Sequence, residues 1–195
     1  MTFCLGLTGS IGMGKSTTAD MFKVEGIPVW DADSAVHSLY APGGGAVPPI
    51  AALYPSALKD GGINRASLRE WISREPSALA EIEAVVHPLV VAHRVAFIAE
   101  TVSDIAVFDI PLLFETGAQT QFDATLLVTA PSALQRARVL KRPGMSPEHF
   151  ALIQSRQMPD ALKRSLATHI VEALTLNQTR VYVQALIAHI SGSHA

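Results

Sequence analysis

Five short apolar runs recur along the chain, each too continuous for a half-exposed strand and too short for a helix. They are FCLGLT at Phe3–Thr8, IPVWD at Ile27–Asp31, IAVFD at Ile105–Asp109, ATLLVT at Ala124–Thr129 and HIVEAL at His169–Leu174. Runs of this kind suit strands buried on both faces of a parallel sheet. Between them apolar residues recur at helical spacing. Helices are predicted over Ser16–Val24, stopped by Gly26 and Pro28, over Ser34–Tyr40, over Arg65–Arg74 with Asn64 as cap, over Ser77–Val86 and over Leu89–Thr101. Further along, Ser132–Lys141 reads as a helix, Ser146 and Pro147 open another with Glu148 near its positive end, and Gln178–Ile190 closes the chain. APGGGAVPP at Ala41–Pro49 reads as a loop, RPGMS at Arg142–Ser146 as a turn, and SGSHA at Ser191–Ala195 as a frayed tail.

Alternating strands and helices give an α/β class with one central, parallel, five-stranded sheet. The stretch from the second run to the third, residues 32–104, is far longer than one crossover helix with connections of about 2 to 6 residues requires. A helical subdomain is therefore expected there. The predicted division is a core of residues 1–32, 103–134 and 166–195, a helical domain of residues 33–102 and a helical lid of residues 135–165.

The chain has 195 residues, 49% of them hydrophobic and 16% charged, with a net charge of −2. That is enough for one substantial domain with an insertion, and it removes the basic excess that a duplex-binding protein would need. Charge is uneven, however: seven basic residues between Arg136 and Arg164 face only Glu148 and Asp160. Cys4 is the sole cysteine, which excludes an intrachain disulfide and a cysteine-based zinc site, and it reads as a small buried residue of the first strand. No cleavable leader pattern is visible, and the most apolar stretch, Val85–Val102, is interrupted by His87, Pro88, His93 and Arg94. A soluble cytoplasmic protein is expected, a monomer or small homo-oligomer without nucleic-acid or membrane partners.

The chemistry begins at Gly9-Ser10-Ile11-Gly12-Met13-Gly14-Lys15-Ser16, which fits G-x-x-x-x-G-K-[ST] at every specified position and lies between a predicted strand and a predicted helix. This is a P-loop. Its glycines let backbone N–H groups turn inward around phosphate oxygens, and the following helix aims its positive end at the same anion. Lys15 would reach the β- and γ-phosphates and the Ser16 hydroxyl would ligate Mg²⁺. A Rossmann dinucleotide site fails at Thr17, where a small residue should close against the sheet. No Asn-Lys-x-Asp or Asp-x-x-Gly marks a GTPase. The expected ligand is thus a nucleoside triphosphate, not NAD.

Two groups of carboxylates follow strands. In WDADS, Asp31 and Asp33 face the same way if the backbone is still extended there, and a kinase needs such a carboxylate to take the acceptor's proton. Asp33 reads equally well as the cap of a helix starting at Ser34. In VFDIPLLFE, Asp109 ends a strand as a Walker B acid does and could hold Mg²⁺ through water, while Glu115 reads as either a surface residue or a substrate contact. Pro111 cannot donate to a central ladder, so the strand stops before it. The basic stretch reads as an arm of arginines that closes over the triphosphate and excludes water.

LTGSIGMGKST, DAD, His87-Pro88-Leu89, DIPLLFE and RQMPDALKR at Arg156–Arg164 together resemble the dephospho-coenzyme A kinase family over essentially the whole chain. The resemblance implies a P-loop kinase-like three-layer fold and transfer of the γ-phosphoryl of ATP to the ribose 3′-hydroxyl of dephospho-coenzyme A. It implies Asp33 as general base, Lys15 as phosphate clamp and Mg²⁺ at Ser16 and Asp109. The nucleotide is expected on Gly9, Ile11, Gly12, Met13, Gly14, Lys15, Ser16, Thr17, Arg138 and Arg142, and the acceptor on Asp33, His87, Leu112 and Glu115. His87 reads alternatively as a helix-start residue held by packing. One departure stands out: where the family shows Ala-Asp, two apolar residues and Asp-Asn, this chain has Ala167-Thr168-His169-Ile170-Val171-Glu172-Ala173.

Overall fold

β1 (Phe3–Thr8) is the central strand of a five-stranded sheet in the order β2–β5–β1–β6–β7, formed with β2 (Val29–Asp31), β5 (Ile105–Asp109), β6 (Ala124–Thr129) and β7 (His169–Glu172). The computed structural model describes residues 2–194. Pairing is parallel throughout the registers Leu7↔Asp109, Leu7↔Leu126 and Val128↔Val171. The apolar runs are therefore flanked on both faces, as their continuity requires. HIVEAL pairs only as far as Glu172, and the second run begins at Val29 rather than Ile27.

Two compact units divide the chain: Met1–Trp30 with Thr101–Ala195, and Asp31–Glu100. The first packs α1 (Lys15–Val24) and α9 (Leu176–His194) on the sheet, burying Phe22, Leu5, Leu126 and Val183 completely. Each such side chain contributes about 1.5–3 kcal/mol. Cys4 is half-buried rather than buried. The expected frayed tail is helical as far as His194, and Ala195 lies outside the described residues.

The second unit holds α2 (Ala32–Tyr40), α3 (Val47–Leu53), a hairpin of β3 (Leu58–Lys59) and β4 (Gly62–Ile63), α4 (Arg65–Arg74) and α5 (Ala78–Glu100). Its core includes Leu39, Ile50, Leu68, Trp71, Ile82 and Val86. Three expectations change here. The loop predicted over Ala41–Pro49 gives way to α3 at Val47, because Pro48 and Pro49 occupy first-turn positions where a missing N–H is harmless. The hairpin, two residues a side, is too short to show a period. The helices predicted on either side of His87 and Pro88 are one: Pro88 leaves the Ala84 carbonyl without its helical donor, yet both residues lie on the exposed face, open to solvent. Val86 and Leu89 meanwhile hold the two halves to one core. α5 is also long and apolar enough to cross a membrane by length and composition.

The chain from α6 (Ser132–Leu140) through α7 (Pro147–Ser155) and α8 (Asp160–Leu166) returns to β7. The Ser146 hydroxyl accepts from the His149 N–H at 3.1 Å, the cap expected of it. α8 was not expected as a helix, since no capping side chain announces it.

Candidate active site

β1 and β5 end side by side, and the register that sets Leu7 opposite Asp109 brings the last residue of β5 next to the loop that starts at Gly9. At Gly9 the backbone approaches β6 so closely that a Cβ would stand 2.6 Å from the Val128 carbonyl oxygen. Gly14, the N-cap of α1, has φ 105°, a conformation that glycine alone adopts without strain. No side chain caps α1, so its first-turn N–H groups have no partner within the helix and face the loop with the positive end of the dipole. This is a concave, donor-lined anion seat.

Lys15 and Asp109 form an ion pair within it, Nζ to Oδ1, with Asp109 only 3% exposed. Ser16 and Thr17 are exposed at the start of α1. Among the described residues no group of three or more His, Cys, Asp or Glu side chains gathers to hold a metal. The Ser16 hydroxyl and Asp109 carboxylate are hard oxygen donors, and so sparse a set suits Mg²⁺, which keeps several waters and takes further oxygens from phosphates.

Neutral amides secure the loop. The Ile11 N–H donates to Gln157 Oε1 at 3.1 Å, and the Ile11 carbonyl accepts from Gln135 Nε2 at 2.8 Å. Gln135 is 3% exposed, and its own Oε1 accepts from Gln154 Nε2 at 3.2 Å. Gln135 of α6 and Gln157, just after α7, thereby hold the backbone of one residue, and Gln154 of α7 holds Gln135. The sequence offered no sign of this role, because glutamines at 135, 154 and 157 converge only in the folded chain.

The expected arm of free cations separates into two kinds. Arg138 donates from Nη2 to the Ala173 carbonyl at 2.6 Å, with Nη1 3.5 Å from that of Met13. Arg164 bridges Asp160 at 2.8 Å and Glu172 at 2.7 Å, while Asp160 also accepts from the Thr129 hydroxyl at 2.8 Å. Lys163 is fully buried, its Nζ 2.8 Å from Oε1 of Glu115. These ties fasten α8 to the sheet. Arg136, Lys141, Arg142 and Arg156 are exposed and, among the described residues, take part in no ion pair. Glu115 is accordingly not a surface residue: burial acts to raise its pKa, but Lys163 and the Met158 N–H at 2.8 Å together bring it below the ordinary range. Leu112, three residues earlier, is 42% exposed.

A cavity of about 280 Å³ opens beside the loop, lined by Gly12, Gly14, Thr17, Arg138 and Arg142 together with Ala173–Leu176 and Thr179. Of the segment that departs from the family pattern, the last residue, Ala173, lines this wall.

In the second unit the two aspartates of WDADS have exchanged the roles first weighed. Asp31 is still extended, at φ −114° and ψ 121°, and caps α2 by accepting from the Ser34 N–H at 2.6 Å. Asp33 already lies within the first turn of α2 and is exposed, so the two do not share one face of a strand. It is released from capping. His87 is likewise exposed and inside α5, not at a helix start.

The dephospho-CoA kinase family model matches residues 3–178. A dephospho-CoA kinase of Cereibacter sphaeroides is 61% identical over 188 residues, covering 96% of this chain and 95% of that protein. A crystal structure of a Thermus thermophilus protein shares 32% identity, covering 96% of this chain and 97% of that one with a TM-score of 0.84. The solved dephospho-CoA kinase of Campylobacter jejuni, 22% identical over both full lengths, superposes with a TM-score of 0.74 and shows the same fold.

Proposed function

The chain belongs to the dephospho-CoA kinase family, and from that premise we infer which of its residues move the γ-phosphoryl of ATP onto the 3′-hydroxyl of dephospho-coenzyme A. The observation that carries the reading is the Lys15–Asp109 pair beneath an uncapped helix start. An ammonium and a carboxylate held together there become, when the nucleotide enters, one group for the phosphates and one for the cation. Lys15 turns to the β- and γ-phosphate oxygens, joined by the first-turn amides of α1. Asp109 and Ser16 would hold Mg²⁺, which supplies charge neutralisation across the β- and γ-phosphates when bound.

The acceptor's 3′-oxygen attacks the γ-phosphorus as the bond to the bridging β,γ-oxygen breaks, and ADP departs. Asp33, exposed and not engaged as a cap, takes the hydroxyl proton. His87 and Leu112 are exposed and available to the acceptor; Glu115 contributes through the segment it anchors. Arg138 and Arg142 border the nucleoside beside Gly12 and Gly14. With α8 fastened to the sheet, the closing part of the lid is the stretch before it, whose Arg142 and Arg156 carry no ion pair among the described residues. We place the enzyme in the cytoplasm as a monomer or small homo-oligomer.

Incubation with ATP, Mg²⁺ and dephospho-coenzyme A is expected to yield ADP and coenzyme A in equal amounts. Turnover of shikimate, sugars or nucleoside monophosphates in preference to dephospho-coenzyme A would overturn the reading.

A further inference from the structure

Ser10, Ile11, Gly12 and Met13 form a tight turn inside the phosphate loop. The Met13 N–H donates to the Ser10 carbonyl at 3.1 Å, and Gly12, third of the four, has φ 76°. Ile11 keeps the negative φ usual for its type. That combination is a type II turn, which differs from the commoner type I chiefly by a rotation, through about 180°, of the peptide joining its second and third residues. Glycine is required at the third place twice over, because a Cβ on Gly12 would also stand 2.4 Å from Val139 Cγ2 and 3.1 Å from the Gln135 carbonyl oxygen.

Glycine permits this turn but does not select it, since it adopts either sign of φ about as readily. The Ile11–Gly12 peptide can therefore stand either way round. For an anion the two arrangements are opposites: one presents an N–H donor, the other a carbonyl oxygen with its partial negative charge.

The selection comes from α6. Gln135 Nε2 donates to the Ile11 carbonyl at 2.8 Å, and a trans peptide tied by its carbonyl aims the Gly12 N–H the opposite way, off that helix. Gln135 is itself kept from turning over. It is buried, and its Oε1 accepts from Gln154 Nε2 at 3.2 Å, so its amino end meets Ile11. Gln157 fixes the preceding peptide by accepting from the Ile11 N–H. The setting is neutral: among the described residues that line the cavity of about 400 Å³ shared by Ser10, Gln135, Gln154 and Gln157, Asp160 alone is ionisable, and Arg164 pairs with it at 2.8 Å.

We propose that Gln135 is a positioning residue that locks the Ile11–Gly12 peptide with its N–H toward the triphosphate, so that the grip of the loop on ATP is set from α6. The proposal rests on the reading of the loop as the seat of the triphosphate.

The test uses the full chain and two variants: Gln135→Met, which keeps the bulk and loses the donor, and Gln135→Glu, whose carboxyl donates only when protonated. Equilibrium titration measures affinity for ATP and for adenosine, which has no phosphate, and steady-state rates give KM for dephospho-coenzyme A. Gln135→Met is expected to bind ATP about tenfold or more weakly, the loss of one donor to a charged group. Adenosine affinity and acceptor KM stay unchanged. Gln135→Glu is equally weak at high pH, where a carboxylate faces the Ile11 carbonyl. Its ATP affinity recovers toward that of wild type as pH falls and the acid, its pKa raised by burial, gains the proton that restores the bond. ATP affinity of Gln135→Met within about twofold of wild type, an equal loss for adenosine, or a Gln135→Glu deficit that pH does not change overturns the proposal. A wild-type chain that binds ATP no more tightly than adenosine removes the phosphate-loop reading and the proposal with it. One that binds ATP tightly but forms no coenzyme A refutes the catalytic reading alone.

Discussion

Lys163 Nζ stands 2.8 Å from Oε1 of Glu115, with the lysine side chain wholly buried and the glutamate side chain 14% exposed. The approach is close but off the hydrogen-bonding direction, and Oε2 of Glu115 has no partner. A pair of this kind is unequal. Glu115→Gln strands a buried ammonium and is expected to cost about 3–5 kcal/mol. Lys163→Met leaves a carboxylate that keeps the Met158 N–H on a side chain less completely buried than the lysine, so its cost is smaller. Replacing both by apolar residues should return most of the stability. Urea denaturation of the three variants checks the order, and equal losses for the two single variants would contradict it.

Asp31 and Asp33 should separate stability from catalysis. Asp31→Ala removes the cap on the Ser34 N–H and is expected to cost about 1 kcal/mol. Asp33→Asn should leave the unfolding midpoint in place and lower kcat by about 10²-fold or more while ATP affinity persists. Paired kcat and denaturation measurements decide it; a kcat near wild type for Asp33→Asn removes this residue as the base.

At the phosphate loop, Lys15→Ala is expected to lower kcat by about 10²–10³-fold, the usual loss when one donor to developing charge is removed. Asp109→Asn should instead shift the Mg²⁺ concentration needed for half-maximal rate upward. Magnesium titrations of both variants against wild type discriminate the two, and an unshifted titration for Asp109→Asn would remove it from the metal's surroundings.

Acid should destabilise the fold in two stages. Burial, aided by His189 with its ring centroid 6.3 Å away, lowers the pKa of His169. The unfolded chain then binds that proton first, and stability falls as pH drops from about 6.5 toward the folded value. Glu115, also lowered, contributes stability at neutral pH that is lost only below about 4.3 as pH falls toward its own folded value. Unfolding free energies between pH 8 and pH 3 test both windows. In His169→Asn the upper stage should shrink while the lower one stays.

How far the sequence reveals this molecule depends on the distance over which each feature is encoded. The strands were legible because burial on both faces leaves a continuous apolar run. The phosphate loop was legible because its glycines and lysine are adjacent in sequence. Pro88 misled, since a proline breaks a helix only where nothing else holds its two halves, and here Val86 and Leu89 do. Asp31 and Asp33 could not be sorted without knowing where α2 begins, a matter of two residues. The Glu115–Lys163 pair and the glutamines around Ile11 were invisible, because their partners meet only through the sheet.

The backbone N–H and carbonyl of Ile11 are held by Gln157 and Gln135, and neither carries charge. Electrolyte that would weaken the proposed hold of Lys15 on a triphosphate leaves a contact between neutral amides almost untouched. The loop's shape and its affinity therefore answer to different variables: adding salt would loosen the nucleotide while the empty cradle kept its form.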